Sequence, residues 1–262
     1  MRDPNVAVVV EDDDDVRNLL VAVLQQAGFE VHAAATGHQG VDAVRAHHAS
    51  LVTLDVGLPD IDGFEVLRRV RQFSDAYVVM LTGRNDELDT ITALHGGADD
   101  YMTKPFRSRE LRARVVAMMR RPRREISGWP EPDTLMLHHS PEPRRTVTAQ
   151  RSKILQHNGL TLQVDSRTAT LRGKHVAFTR SEFDLLHDLF RAGGAVRTRA
   201  ELVRVVRGEQ DGEESYISEA DQRAVEVHLG NIRRKLGDDP VNPQWLITVR
   251  GVGYRLAPAR GE

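Results

Sequence analysis

Five positions in this chain carry side chains suited to phosphoryl transfer, and each follows a short apolar run. Glu11 and Asp12 follow Val6-Ala7-Val8-Val9-Val10. Asp55 closes Leu51-Val52-Thr53-Leu54, and Thr82 closes Tyr77-Val78-Val79-Met80-Leu81. Lys104 comes just after Asp99-Asp100-Tyr101-Met102. Three carboxylates brought together repel one another and need a cation or a proton among them. An all-oxygen donor set with little caging suits Mg²⁺, which keeps several waters and also binds phosphoryl oxygens. In that setting Asp55 is the candidate nucleophile, Lys104 the fixed positive charge and Thr82 a hydrogen-bond donor to a phosphoryl oxygen.

The elements that must bring these groups together can be read from the spacing. Strand-like runs near 6–10, 29–34, 50–55, 77–82 and 99–102 alternate with helix-like segments near 14–27, 38–47, 63–72, 87–95 and 107–120. Such alternation predicts an α/β domain with a doubly wound, five-stranded parallel sheet. In the order 2-1-3-4-5, strands 1 and 3 are neighbours, and every strand delivers its C-terminal residue to one edge, where ligands bind. Asp13, Asp14 and Asp15 read as an acidic helix start favoured by the helix dipole.

Composition narrows the class. A chain of 262 residues favours two domains, and with no cysteine it can form neither a disulfide nor a thiolate metal site. Its apolar runs are strand-length, far below the roughly 20 residues that cross a bilayer, and the first residues lack a secretory h-region. A soluble, cytoplasmic protein without a membrane partner is the expectation. The formal net charge of −2 hides a division, with residues 1–120 at −6 and the remainder at +4. An acidic half joined to a basic half suggests two different partners.

Periodicity is lost between Pro122 and about residue 157, where Pro130, Pro132, Pro141 and Pro143 also fall. This predicts a first domain over 1–121, a flexible linker over 122–157 and a second domain over 158–262. A linker of this length suggests communication through effective concentration and dimerisation instead of a fixed interface. The second domain begins with strand-like alternation. Helical patterns follow at 181–192, 199–206 and 221–236, and a hairpin is expected over 246–256. In the last helix Val225, Leu229, Ile232 and Leu236 form an apolar stripe. The opposite stripe holds Val227, Gly230, Asn231 and Arg234, flanked by Arg223 and Arg233. Arg and Asn match guanine and adenine edges and Val a thymine methyl, so this face suits the major groove of double-stranded DNA. Arg223, Arg233 and Lys235 read as phosphate contacts.

The stretches Val-Val-Val-Glu-Asp-Asp (8–13), Leu-Asp-Val-Gly-Leu-Pro-Asp-Ile-Asp-Gly (54–63), Met-Leu-Thr-Gly-Arg (80–84) and Gly-Ala-Asp-Asp-Tyr-Met-Thr-Lys-Pro-Phe (97–106) resemble the receiver domain of bacterial two-component response regulators. The resemblance implies that Asp55 accepts phosphate from a sensor histidine kinase. It implies Mg²⁺ held by Asp12, Asp55 and the Gly57 carbonyl, with Glu11 on metal-bound water. It also makes Thr82 and Tyr101 a switch pair, and places Gly57 and Arg84 where phosphoryl lifetime is set. Gly83 departs from the small side chain usual at its position.

Phe-Thr-Arg-Ser-Glu-Phe-Asp-Leu-Leu (178–186), Val-Glu-Val-His-Leu (225–229), Arg-Arg-Lys-Leu-Gly-Asp-Asp-Pro (233–240) and Ile-Thr-Val-Arg-Gly-Val-Gly-Tyr-Arg (247–255) resemble the winged helix-turn-helix effector of the OmpR/PhoB subfamily. This implies an α+β domain with 221–236 as recognition helix and 246–256 as wing, where Thr248 and Arg250 approach DNA. Gly230 and Asn231 stand where Arg is frequent. The acidic segment from Arg207 to Asp221 corresponds to a loop that can touch RNA polymerase. Asp99, Glu110, Arg114 and Arg121 match homodimer positions on the face formed by 87–95, 99–102 and 107–120, with Thr90 in place of an Arg partner for Glu110. The expectation is a transcription regulator, not an enzyme acting on an outside substrate, that dimerises on phosphorylation. The alternative is a phosphorylation-independent DNA-binding regulator with the first domain as a dimerisation module.

Overall fold

The computed structural model describes residues 5–83, 93–119, 154–209 and 217–259. The first domain runs β1 (Asn5–Val10), α1 (Asp14–Gln26), β2 (Phe29–Ala34), α2 (Gly37–Ala46), β3 (Leu51–Asp55), α3 (Gly63–Val70), β4 (Tyr77–Thr82), β5 (Asp100–Thr103) and α4 (Ser108–Met119). The five strands are parallel, in the order β2-β1-β3-β4-β5. Helices cover both faces, so β3 and β4 are buried at every position, which is why they read as continuous apolar runs instead of alternating ones. Val8, Val10, Leu54 and Met80 feed one core, while Val9, Leu51, Val79 and Leu81 feed the other.

Polar punctuation starts the helices where the strands end. Asp13 caps α1 by accepting from Asp15 N and Val16 N, Thr36 caps α2, and Asp62 caps α3. Of the helix expected over 87–95, residues 93–95 are described and are helical, while Arg84 and Thr90 lie outside the described residues.

The second domain opens with an antiparallel meander of β6 (Ile154–His157), β7 (Leu160–Gln163), β8 (Thr168–Leu171) and β9 (Lys174–Val176). Then come α5 (Arg180–Arg191), β10 (Arg197–Thr198), α6 (Arg199–Arg207), α7 (Glu219–Leu236), β11 (Leu246–Val249) and β12 (Gly253–Leu256). Each of the three helices starts with a reciprocal capping box, Thr179/Glu182, Thr198/Glu201 and Ser218/Asp221. Strand β6 lies ahead of the expected boundary at 158, because Ile154–His157 pairs along its whole length with β7. Residues 122–153 of the expected linker lie outside the described residues.

The two-residue strand β10 had no sequence signal, being too short for periodicity, yet it completes a sheet of order β10-β12-β11. Gly253 permits this pairing, since a Cβ there would lie 1.9 Å from Arg197 O. The three helices, the meander and the β11–β12 wing enclose one core around Leu186, Leu202, Leu229, Trp245 and Leu246.

The two domains touch, which corrects the expectation of communication without a fixed interface. Arg180 donates to Asp75 O at 2.9 Å and stacks 4.9 Å above the Tyr77 ring, and Tyr77 OH reaches Asp184 at 3.4 Å. Ala224 and Val227 of α7 belong to the same apolar cluster as Leu94 and Tyr101 of the first domain. Linker composition could not reveal this interface, which depends on scattered side chains and backbone carbonyls that carry no period.

Candidate phosphoacceptor site and nucleic-acid interface

The C-terminal ends of β1 and β3 bring Glu11, Asp12 and Asp55 together, each offering a carboxylate oxygen within 4.8 Å of the others. Arg17 locks the β1–α1 turn by donating to Glu11 O at 2.8 Å and Asp12 O at 3.0 Å. The β3–α3 turn is equally tight, since a Cβ on Gly63 would lie 2.3 Å from Asp55 O.

Lys104 arrives from beyond β5, preceding a cis Pro105, with its backbone N–H on Thr82 O at 2.6 Å. Its Nζ bridges Glu11 Oε1 and Asp55 Oδ1, at 2.8 Å each. Burial works against the ammonium, but these two hydrogen bonds outweigh it and hold Lys104 above its usual range. Burial likewise pushes the Glu11 carboxyl up, against the hydrogen bond from Lys104.

The second oxygen of Glu11, Oε2, is buried with no partner among the described residues. Buried carboxylate oxygens left unsatisfied are costly, and a hard cation beside them removes that cost. The donor set therefore fits Mg²⁺. Thr82 closes the pocket, its hydroxyl now donating to Gly83 O at 3.3 Å. Tyr101, paired with Met80 on the neighbouring strand, is half-buried, and its phenol is pushed up to about 12 by burial first and by Asp100 and Asp221 next.

The residues expected to face DNA divide into two groups. Arg223 is exposed on α7, and Thr248 and Arg250 are exposed on the wing. A Cβ at Gly230 would meet nothing within 4 Å. Asn231, by contrast, is buried against the first domain, donating to Leu94 O at 2.8 Å and accepting from His95 Nδ1 at 3.2 Å. Arg234 donates to His95 O at 3.3 Å. Arg233 points back to its own domain, bonding Leu246 O and Thr248 Oγ1. Lys235 pairs with Glu182 at 2.5 Å.

The positions matched to dimerisation are engaged in the same contact. Asp99, 1 % exposed, receives Arg71 Nη2 at 2.6 Å, Val78 N at 3.0 Å and Ser181 N at 3.2 Å. Arg114 clamps Asp100 at 2.9 Å and Glu110 at 2.9 Å, and approaches Asp221 of α7 at 3.6 Å. Arg121 lies outside the described residues. Sequence reasoning missed His228, whose spacing from Ala224 and Asn231 puts all three on one helical stripe. It also missed Arg71, whose role depends on a distant carboxylate and leaves no local trace.

A parallel α/β domain with an acidic, lysine-closed strand edge, joined to a domain whose described residues form three helices and a β wing, defines a receiver coupled to a DNA-reading effector. Residues 7–116 match the response regulator receiver domain, and residues 173–256 match the C-terminal domain of transcriptional regulatory proteins. The chain is 35 % identical to the transcriptional regulatory protein AfsQ1 of Streptomyces coelicolor over 96 % of its own length and 97 % of that protein's. Among solved structures it is similar to DrrB, an OmpR/PhoB homologue from Thermotoga maritima, at 27 % identity and TM-score 0.45, covering 97 % of this chain and 99 % of that one. A cysteine-to-aspartate mutant of RitR shares the fold, at 19 % identity and TM-score 0.65, with 97 % of this chain and 99 % of that one covered.

The chain belongs to the OmpR/PhoB-type response regulators. It is a two-component response regulator that controls transcription, with a histidine kinase and DNA as its partners. No helix among the described residues is long and apolar enough to cross a membrane.

Proposed function

We propose that Asp55 accepts a phosphoryl group from the phosphohistidine of a sensor kinase, and that this releases α7 for DNA binding. The observation that carries this reading is Lys104 Nζ bridging Glu11 and Asp55 at 2.8 Å each, beside a Glu11 oxygen buried without a partner. Lys104 holds Asp55 Oδ1, which leaves Oδ2 as the attacking oxygen. The new bond forms between Oδ2 and phosphorus while the phosphorus–nitrogen bond to the kinase imidazole breaks, and the imidazole keeps that electron pair. Asp12, Asp55 and the Gly57 carbonyl would hold Mg²⁺, with Glu11 on its water, and the ion supplies charge neutralisation to the transferring oxygens. Lys104 then pairs with the phosphoryl group, and Thr82 turns from Gly83 O to donate to it.

Rotation of Tyr101 into the space behind Thr82 removes part of the surface on which Ala224 and Val227 rest. With α7 seated on the receiver, Asn231 and Arg234 cannot read bases, and Asp99 and Arg114 are engaged within one chain. Opening frees both sets together, so dimerisation and DNA binding rise in concert. Arg223, Val227, Gly230, Asn231 and Arg234 then enter the major groove, and Thr248 and Arg250 approach the backbone from the wing. Arg233 braces the wing, a different role from the phosphate contact expected of it. The domain division at 1–121, 122–157 and 158–262 fits this arrangement, with the effector's first strand starting slightly earlier. The acidic segment 209–221 is a candidate surface for RNA polymerase, and a cytoplasmic site of action fits partners of this kind.

DNA binding tests the proposal, with the wild type and Asp55→Asn compared with and without acetyl phosphate and Mg²⁺ on the protein's own upstream region. Tighter binding by the wild type alone is the expected result. Equal binding by both proteins in every condition would make the receiver a constitutive dimerisation module and overturn the mechanism.

A further inference from the structure

We propose that His228 is a proton-operated latch between the domains, so that protonating its ring opens the closed form and presents α7 in mild acid without phosphorylation. The inference rests on the reading of α7 as the DNA-contacting helix, and it adds a second input to the same movement.

The geometry is specific. His228 is fully buried where α7 meets the receiver, with Nε2 3.2 Å from Asp99 O. A carbonyl oxygen only accepts, so Nε2 carries the proton and Nδ1 presents a lone pair. That Nδ1 is buried with no partner among the described residues. A second proton there would create an N–H with nothing to receive it, and would put a full charge in a space closed to water.

The carboxylates facing His228 are each already held by a cation. On the receiver side, Asp99 is held by Arg71 at 2.6 Å and Asp100 by Arg114 at 2.9 Å. From α5, Glu182 is held by Lys235 at 2.5 Å. His95, which meets α7 three residues further along, is hydrogen-bonded to Asn231. Burial outweighs the pull of Glu182, Asp99 and Asp100 and pushes the His228 imidazole below its usual range.

The sign follows by linkage. The closed form keeps His228 neutral while the open form lets it titrate normally near 6.5, so closing binds fewer protons. The stabilisation His228 lends the closed form is complete above about pH 6.5 and is lost as pH falls below it. Between pH 7.5 and 5.5 the ratio of open to closed molecules should rise by up to about tenfold through this one ring.

The chain has no cysteine, so Leu19→Cys and Val241→Cys, both at exposed sites on opposite domains, give two unique positions for a fluorescent pair in the full-length protein. Energy transfer in the unphosphorylated protein should report an opening of up to about tenfold as pH falls from 7.5 to 5.5. His228→Gln, which keeps a donor for Asp99 O but cannot titrate, should abolish that response, whereas His95→Gln should retain it. An unchanged response in His228→Gln, or no response in the parent protein, ends the proposal.

If His228→Gln stands open at every pH, NMR titration of the His228 ring in the parent chain decides. A midpoint below the ordinary imidazole value near 6.5 supports the latch, and an equal or higher one rejects it. Failure of the phosphorylation reading looks different, because acetyl phosphate would then leave DNA binding unchanged at pH 7.5 whatever stands at position 228.

Discussion

At the scale of single residues, the phosphoacceptor edge is set by what surrounds Asp55 as much as by Asp55 itself. Gly63 is the sharpest case, because any side chain there meets Asp55 O and Val56 Cα at 2.3 and 2.9 Å. Both contacts are backbone, so the turn itself must move. Gly63→Ala should cost about 1–3 kcal/mol, as overpacking does. It should also reduce phosphorylation by acetyl phosphate, which thermal unfolding and phosphate-affinity gels together would detect. Gly57 is the opposite case, since a Cβ there would lie 3.6 Å from Asp55 Oδ2 and meet nothing else within 4 Å. No side chain at position 57 therefore covers the oxygen that would carry the phosphoryl group. Gly57→Met should cover it and lengthen the half-life of the phosphorylated protein, and an unchanged half-life would remove the idea.

At the scale of elements, the helices of the effector are started by side chains that close on their own backbone. Thr179 accepts from Glu182 N at 3.4 Å, while Glu182 accepts from Thr179 N at 2.8 Å. The same box places Ser181 N beside Asp99, so this cap serves both the start of α5 and the domain contact. Thr179→Ala should lower stability by about 1 kcal/mol, the usual cost of a lost cap, in denaturant unfolding. At the start of α7, burial opposes the charge on Asp221. Hydrogen bonds from Ser218 and the nearby Arg207 and Arg114 outweigh it and hold the carboxyl below its usual range. Its contribution to stability is present above the ordinary carboxylate range and is lost as pH falls below it.

At the scale of the whole molecule, the controlling quantity is the balance between closed and open forms. Arg180 is well placed to test it, because it ties α5 to Asp75 and Tyr77 on the receiver, away from α7 and the wing. Removing a hydrogen bond worth about 1 kcal/mol shifts a two-state balance about fivefold. Arg180→Ala should therefore tighten DNA binding by up to that factor without a phosphodonor, and should narrow the gain produced by acetyl phosphate. Unchanged binding in both conditions would mean that the interface does not limit access to α7.

Much of this protein is determined locally and was legible without coordinates. Strands buried on both faces become continuous apolar runs, and parallel topology then sends Glu11, Asp12, Asp55, Thr82 and Lys104 to one edge. The capping residues and the amphipathic stripe of α7 are likewise written within a few residues of where they act. What the tertiary structure alone decided is which surfaces meet. The start of the effector sheet at Ile154, the short strand β10 and the burial of Asn231, His228 and Asp99 between the domains depend on partners distant in the chain. Contacts of that kind pair backbone with backbone, or join a single side chain to a backbone group of the other domain, and a backbone group has no sequence identity to read.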